Sequence, residues 1–177
     1  MNILVIGGGA REHAICWALK KSKNYINLFC SPGNAGIAEI AKCEKLDLKK
    51  KIEVYNFCKI NSINFVVIGP EEYLADGLSD YLLKKGINTF GPSKEAAKLE
   101  TSKSFAKAFL SKNNILTPNY DEFSLLSKAL LYLKKVNFPI VIKADGLAAG
   151  KGVIICKNID EASLTIKEMM KEKKFGS

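Results

Sequence analysis

Small residues and lysines are concentrated in residues 139–155, which read PIVIKADGLAAGKGVII. An apolar, β-branched run leads to Lys143 and another follows the loop of residues 146–152, a pattern that predicts a β-hairpin. The backbone N–H groups of such a loop can approach phosphate oxygens, because no bulky side chain holds the ligand away. Lys143 and Lys151 can add positive charge to the same ligand. The stretch therefore predicts a phosphate-binding loop on a hairpin, with a merely flexible glycine-rich hairpin as the alternative.

The loop does not match the P-loop motif G-x-x-x-x-G-K-[ST]. Gly146 and Gly150 are separated by three residues instead of four, and Gly152 stands where a Ser or Thr would hold Mg²⁺. A strand, rather than the helix of a P-loop, is predicted to follow. The residues therefore indicate a phosphate loop of another kind.

A second glycine-rich segment, residues 7–9, joins a predicted strand at residues 2–6 to a predicted helix at residues 10–23. The dinucleotide-binding motif G-x-G-x-x-G would have its third glycine where this chain has Glu12. It would also have an acidic residue at the end of the second predicted strand, residues 25–30, where the chain continues FCSP. NAD binding is therefore disfavoured, although a glycine-rich approach to a helix N-terminus still predicts an anion site.

Strands and helices alternate along the first hundred residues, which predicts an α/β fold with a doubly wound parallel sheet. Further strands are predicted at residues 65–68 and 87–90, and further helices at residues 49–60 and 74–85. Each of the four strands ends in a loop rich in Gly or Pro, at residues 7–9, 31–36, 69–71 and 91–93. Because the carboxyl ends of parallel strands line one crevice, these loops together predict a binding site, whereas each loop alone could be an ordinary turn.

Three segments are predicted: a domain at residues 1–100, a helical linker at residues 101–118 and a smaller α+β unit at residues 119–177. The helical run that enters the linker is expected to break at Thr101-Ser102. The elements predicted for the last unit are strands at residues 119–123, 138–143 and 153–156 and helices at residues 124–136 and 160–173.

The composition of the 177-residue chain is typical of a globular protein, with 47% hydrophobic and 25% charged residues. The net charge of +9 does not indicate nucleic-acid binding, because Arg11 is the only arginine among 27 basic residues and the lysines resemble solvated helix faces. No apolar run is long enough to span a membrane and no leader is evident, so we expect a cytoplasmic protein without a membrane partner. The five cysteines are widely spaced, which predicts reduced, mostly buried thiols rather than disulfides or a zinc site.

Taken together, the motifs resemble the amino-terminal part of one enzyme family over essentially the whole chain. In the family's order they are GGGAREHA at residues 7–14, PGNAG at 32–36, GPE at 69–71, GPS at 91–93, AAKLE at 96–100, SK at 102–103, FAK at 105–107 and all of residues 139–153. The family is that of phosphoribosylamine–glycine ligase (glycinamide ribonucleotide synthetase), ATP-grasp enzymes of de novo purine synthesis. Its implied architecture here is a substrate-binding pre-ATP-grasp domain followed by an incomplete ATP-grasp α+β subdomain.

The resemblance implies a ligase that uses ATP and either Mg²⁺ or Mn²⁺. ATP converts the carboxylate of glycine to glycyl phosphate, and the amine of 5-phosphoribosylamine then displaces phosphate to give glycinamide ribonucleotide and ADP. Phosphate leaves far more readily than a carboxylate oxygen, and lysines, loop N–H groups and the metal stabilise the charge on the transferred phosphoryl group. Another ATP-grasp ligase or carboxylase, and a non-catalytic module that binds a sugar phosphate, are the alternatives.

The resemblance also implies roles for individual residues. The implied ATP-binding residues are Lys103, Lys143, Gly146, Gly150, Lys151 and Gly152. The implied phosphoribosylamine-binding residues are Gly7, Gly8, Gly9, Arg11, His13, Pro32, Gly33, Asn34, Gly69, Pro70 and Glu71. Two interpretations of Arg11 and His13 stay open: they contact the substrate or orient the glycine loop, or they form a local helix-cap and packing pair.

Two features depart from the family pattern. Pro118 lies two places after Leu116 instead of directly following Ile115, which shifts the hinge after the linker. The sequence ends at Ser177, before the family's adenine-gripping strands, acidic and Asn metal ligands and carboxyl-terminal domain. We therefore expect no metal ligands in this chain, a missing carboxyl-terminal part of the ligase as its partner, and no activity of the chain alone; no catalytic residue is named.

Overall fold

The computed structural model describes residues 1–24, 27–146 and 152–171. It divides the chain into two compact units, Met1–Lys98 and Leu99–Ser177, which are described here separately.

The described part of the first unit contains a five-stranded sheet in which all neighbouring strands are parallel. The strands are β1 (Asn2–Gly7), β2 (Asn27–Pro32), β3 (Lys42–Cys43), β4 (Phe65–Ile68) and β5 (Asn88–Phe90). Their order is β3-β2-β1-β4-β5, so the winding direction of the sheet reverses between β1 and β4. The prediction of an α/β fold with a doubly wound parallel sheet is confirmed. In such sheets ligands bind at the carboxyl ends of the strands beside this reversal.

The helices of the first unit lie between the strands in sequence. They are α1 (Ala10–Lys21), α2 (Ala35–Ala38), α3 (Lys51–Ile60), α4 (Glu71–Ala75) and α5 (Leu78–Lys84). The single helix predicted at residues 74–85 is wrong, because Gly77 adopts a φ of +79° and separates α4 from α5. The short elements α2 and β3 carry too few residues to show a hydrophobic period.

Buried side chains cover both faces of this sheet. Successive residues of a strand point to opposite faces, so Leu4 and Ile6 join one core cluster while Ile3 and Val5 join the other. All four are at most 2% exposed. This burial on both faces explains why β1 and β4 are continuous apolar runs rather than alternating ones. It also makes the sheet a rigid base for the loops at its edge.

The second unit is built around an antiparallel hairpin. The boundary between the units falls within α6 (Lys94–Thr101), and the later elements are α7 (Lys103–Lys112), α8 (Leu126–Tyr132), a 3₁₀ turn (Leu133–Lys135), β6 (Ile140–Lys143), β7 (Val153–Cys156) and α9 (Ile159–Lys171). Strands β6 and β7 pair from Ile140 opposite Cys156 to Lys143 opposite Val153. The predicted hairpin and the predicted helix break at Thr101-Ser102 are therefore confirmed.

The strand predicted at residues 119–123 is wrong, since these residues have no regular structure. A strand needs a pairing partner, and no described strand pairs with this segment. The helix predicted at residues 124–136 is shorter than expected and ends in the 3₁₀ turn. Residues 172–173 of the last predicted helix, like residues 25–26 of the second predicted strand, lie outside the described residues.

One face of the hairpin belongs to the core of the second unit. Ile140, Ile142 and Ile154 pack against a buried cluster that includes Leu133 and Ile166. On the other face Val141, Val153 and Ile155 are between 45% and 65% exposed. None of the described helices is both long enough and apolar enough to cross a membrane.

Candidate functional site

Glu12 is the centre of the glycine-rich turn between β1 and α1. Its carboxylate is buried, with the residue only 3% exposed. One oxygen accepts the backbone N–H of Gly9 at 2.7 Å and the other accepts Nε of Arg11 at 3.0 Å. Sequence reasoning treated Glu12 only as the residue that breaks the dinucleotide motif. Its position three residues after the helix cap is a known signal for a carboxylate that reaches back to the cap.

The Glu12 carboxylate fills the space between the ends of β1 and β4, where the winding of the sheet reverses. A Cβ atom at Gly69 would lie 2.1 Å from its Oε1 atom, and one at Gly7 would lie 2.6 Å from its Cγ atom. Both positions must therefore be glycine as long as Glu12 occupies this space. Pro70 also limits the space at Gly7, because a Cβ atom added at Gly7 would lie 2.9 Å from its Cδ atom.

Arg11 connects the loops that follow β1 and β4. Its Nη2 atom lies 3.5 Å from Oε2 of Glu71, while its Nε donates to Glu12. The hydrogen bond to Glu12, followed by the charges of both carboxylates, raises the pKa of Arg11 despite its slight burial, so it stays protonated. The side chain of Glu71 is 39% exposed and keeps acceptor capacity for a ligand.

Asn34 connects the loops that follow β1 and β2. Its Oδ1 atom caps α2 by accepting the N–H of Ile37 at 2.9 Å, and its Nδ2 donates to the carbonyl of Gly8 at 2.8 Å. The N–H of Gly33 donates to the carbonyl of Gly7 at 3.2 Å. The structure thus brings the predicted residues of three loops to one edge of the sheet.

His13 and Pro32 have different neighbours from Arg11. The half-buried imidazole of His13 packs on α2, where a Cβ at Gly36 would lie 2.4 Å from its Cε1 atom. Pro32 follows a cis peptide bond and lines a cavity of about 240 Å³ together with Tyr73. Arg11 and His13 are therefore close in sequence but serve two separate contacts.

The cysteines of the chain are all free thiols. Four are buried, and Cys43 is partly exposed. Cys30 donates from its Sγ to the carbonyl of Gly7 at 3.2 Å, beneath the turn. Burial raises the pKa of Cys58 to about 11. The prediction that the thiols are mostly buried is confirmed.

In the second unit, Lys103 lies beside the start of the hairpin loop. Its Nζ donates to the carbonyl of Gly146 at 2.8 Å, and its backbone N–H donates to Oδ1 of Asp145 at 2.6 Å. The sequence did not single out Asp145, because it lies 42 residues from the helix that it caps, whereas Ser102 directly precedes that helix.

Asp145 is held in its charged form. Partial burial would raise its pKa, but hydrogen bonds from the Ser104 hydroxyl and from the backbone N–H groups of Ser104, Gly146 and Lys103 together lower the pKa below its ordinary value. The carboxylate therefore interacts as an anion with the positive end of α7.

The remaining residues predicted to bind ATP lie in or near the hairpin. Lys143 is exposed at the end of β6, and the carbonyl of Gly152 accepts the N–H of Ala144 at 2.8 Å. Gly150 and Lys151 lie outside the described residues. The described residues contain no group of three His, Cys, Asp or Glu side chains that could hold a metal ion.

Two protein-family models match this chain, and both describe the same enzyme family. Residues 1–100 match the description "Phosphoribosylglycinamide synthetase, N domain", and residues 101–177 match "Phosphoribosylglycinamide synthetase, ATP-grasp (A) domain". The chain belongs to the phosphoribosylglycinamide synthetase family. The family predicted from the sequence motifs is confirmed, and the partial ATP-grasp architecture with it.

Similar members of the phosphoribosylglycinamide synthetase family are known in several bacteria. The chain is 48% identical over 170 residues to phosphoribosylamine–glycine ligase of Clostridium acetobutylicum, covering 96% of this chain and 41% of the relative. It is 46% identical over 177 residues to the ligase of Neisseria meningitidis serogroup B, covering 100% of this chain and 42% of the relative. The crystal structure of the Thermotoga maritima ligase superposes with a TM-score of 0.78 at 32% identity, covering 99% of this chain and 41% of that one. The chain thus spans about two-fifths of the length of these relatives.

Proposed function

We propose that this chain carries the phosphoribosylamine site and one side of the ATP phosphate site of a phosphoribosylamine–glycine ligase in purine biosynthesis. The observation that carries the proposal is the joining of three strand-end loops, by Glu12 and Arg11 on one side and by Asn34 on the other, at the point where the sheet reverses its winding. Such a crevice is where α/β sheets bind ligands. Membership of the family supports the substrate class.

The crevice suits a sugar that carries hydroxyl groups and an amine. The exposed carboxylate of Glu71 accepts hydrogen bonds from such groups, while Arg11 holds it in place. Asn34 and His13 order the second loop through α2. Pro32 and Pro70 carry no N–H, and the N–H groups of Gly9, Gly33 and Gly69 already have acceptors. In this proposal the substrate phosphate therefore contacts the N–H groups of Gly8 and Glu71.

The hairpin suits the phosphates of ATP. Lys103 and Lys143 stabilise the negative charge that spreads over the phosphoryl group as it passes to glycine, and the N–H groups of residues 146–152 assist them. A divalent cation supplies further charge neutralisation when bound. We place its ligands outside these 177 residues, in the remainder of the ligase.

The same proposal assigns the segments. Residues 1–100 are the substrate domain, residues 101–118 a helical linker and residues 119–177 a partial ATP-grasp subdomain. The compact units divide at Lys98, close to this boundary, and α7 of the linker contacts the hairpin through Lys103. A cytoplasmic location agrees with five free cysteines, since disulfides form mainly in oxidising compartments.

A hybrid enzyme tests the proposal. This chain replaces the corresponding 41% of the Clostridium acetobutylicum relative, and phosphate release is measured with ATP, glycine and phosphoribosylamine. We expect release only when all three are present, and none from the 177 residues alone. Glu71→Gln should raise the KM for phosphoribosylamine about tenfold, the value of one charged hydrogen bond.

Two matched controls accompany these variants. Glu72→Gln changes the neighbouring exposed carboxylate, and Lys112→Ala removes an exposed lysine at the far end of α7 from Lys103. Both should leave the kinetics unchanged, whereas Lys103→Ala should raise the KM for ATP. A folded hybrid without activity, or equal effects of the Glu71 and Glu72 variants, would contradict the proposal.

A further inference from the structure

Asp145 uses both carboxylate oxygens on the first turn of α7. Its Oδ1 accepts the backbone N–H of Lys103 at 2.6 Å and that of Ser104 at 3.2 Å. Its Oδ2 accepts the hydroxyl of Ser104 at 2.5 Å and that of Ser102 at 3.3 Å. Asp145 therefore completes a helix cap from 42 residues away in the sequence.

The cap provides acceptors for the N–H groups of Lys103, Ser104 and Phe105 at the start of α7. Ser102 is the local N-cap, and its Oγ accepts the next available N–H, that of Phe105, at 3.2 Å. The first helical N–H groups, which otherwise lack partners, are thus shared between Ser102 and Asp145. With these four donors and the backbone N–H of Gly146 on its two oxygens, Asp145 has little capacity left to bind a substrate or a metal.

The same contact fixes the Lys103 side chain. Its ammonium donates to the carbonyl of Gly146, the residue after Asp145 and the first residue of the glycine-rich loop. Lys103 is therefore bonded to two successive residues, through its backbone to Asp145 and through its side chain to Gly146. Rotation or withdrawal of either segment would break both bonds.

We propose that Asp145 is a positioning residue for ATP: it ties the end of β6 to α7, so that the ammonium of Lys103 is held at the phosphate-binding side of the hairpin. This inference rests on the proposed function, because it requires ATP to bind at the hairpin. It assigns Asp145 no chemical step. It predicts that the loss of the carboxylate weakens ATP binding through Lys103 and leaves glycine and phosphoribosylamine binding unchanged.

The test uses the hybrid ligase described above, with Asp145→Asn and Asp145→Ala. The KM is measured for each of the three substrates, and amide hydrogen exchange is followed at Lys103 and Ser104. Asn keeps one acceptor oxygen for the helix N–H groups, so Asp145→Asn should retain part of the function that Asp145→Ala loses. We expect Asp145→Ala to raise the KM for ATP about tenfold, close to the loss of one charged hydrogen bond from Lys103 to the phosphate.

Glu161→Ala is the control matched to Asp145→Ala in the same unit. Its carboxylate also closes the start of a helix, accepting the N–H of Lys157 at 2.8 Å and Nδ2 of Asn158 at 3.0 Å. This variant should lose a comparable cap without any change in the KM for ATP. A purely structural role of Asp145 would make the two carboxylate variants alike.

The outcomes separate the two proposals. Faster exchange at Lys103 with an unchanged KM for ATP in Asp145→Ala overturns the positioning role and leaves the ligase function intact. Equal increases in the KM for all three substrates overturn it as well. A wild-type hybrid that folds but binds no ATP overturns both proposals.

Discussion

Glu12→Gln should destabilise the first unit far more than an ordinary change from a carboxylate to an amide. The carboxylate accepts one N–H on each oxygen, from Gly9 at 2.7 Å and from Arg11 at 3.0 Å. Gln offers one acceptor oxygen and one NH₂ group, so at least one of these donors would face another donor. The side chain cannot move away, because Gly69 lies against it.

The magnitude follows from the two hydrogen bonds that the amide disrupts. A hydrogen bond to a charged group contributes about 1.5–3 kcal/mol, and a buried donor left without an acceptor costs about 1–3 kcal/mol more. Part of this loss of stability is recovered, because the Arg11 side chain is 56% exposed and can form hydrogen bonds with water instead. We therefore expect Glu12→Gln to lower the free energy of unfolding by about 2–4 kcal/mol. Glu71→Gln, which breaks a partly exposed 3.5 Å pair, should cost at most about 1 kcal/mol.

Urea unfolding of the 177-residue chain measures both variants. Trp17 is the only tryptophan, and it lies on α1 with the ammonium of Lys21 3.5 Å from its ring centroid. Its fluorescence therefore reports the unfolding of the first unit separately from the second. If the unfolding free energies of Glu12→Gln and Glu71→Gln agree within about 0.5 kcal/mol at equal slope, the buried carboxylate does not hold the loops together.

Three further changes have expected outcomes in the same assay. Gly69→Ala should lower the free energy of unfolding by about 2–3 kcal/mol, because the added Cβ would lie 2.1 Å from Oε1 of Glu12. Gly86→Ala should lower it by only about 1 kcal/mol, because Gly86 has a φ of +79° but no atom within 4 Å of the added Cβ. Equal losses in the two variants would contradict the close approach at Gly69. Asn34→Ala removes the cap of α2 and the bond to Gly8 and should cost about 1–2 kcal/mol, whereas Asn34→Asp keeps the cap but sets a carboxylate oxygen against the Gly8 carbonyl and recovers only part of it. Burial raises the pKa of Cys58 to about 11, so the thiol favours the folded state below its unfolded pKa, and this contribution is lost as the pH rises toward 11. Between pH 9 and 11 the wild type should lose about 2 kcal/mol more than Cys58→Ala, and parallel pH profiles would refute this.

The main strands of the first unit could be predicted from the sequence because their signal is local. Residues 2–6 and 65–68 are apolar runs, and each is buried on both faces of the sheet. Glycine at the strand ends marks the turns, and the alternation with helices implies parallel pairing. The hairpin at residues 139–155 could be recognised in the same way. The strand predicted at residues 119–123 failed because a strand also requires a partner, which no local pattern reveals.

The predicted site residues followed from glycine, proline and lysine in recognisable motifs, which depend on the residue types alone. The roles of the Glu12 and Asp145 carboxylates could not be predicted in this way. Glu12 looked like a missing glycine, and its burial follows from the proximity of Gly69 across the sheet. Asp145 looked like one more small polar residue of a loop, yet it caps α7.

The sequence by itself determined the family, the doubly wound sheet and the positions of the glycine-rich loops, because periodicity and motif spacing are properties of neighbours in the chain. The tertiary structure alone decided which groups pair: Arg11 with Glu71, Asn34 with Gly8 and Asp145 with Lys103. These contacts join residues that are 26 to 60 positions apart. Their energies depend on burial and distance, which exist only after the strands have brought the loops together.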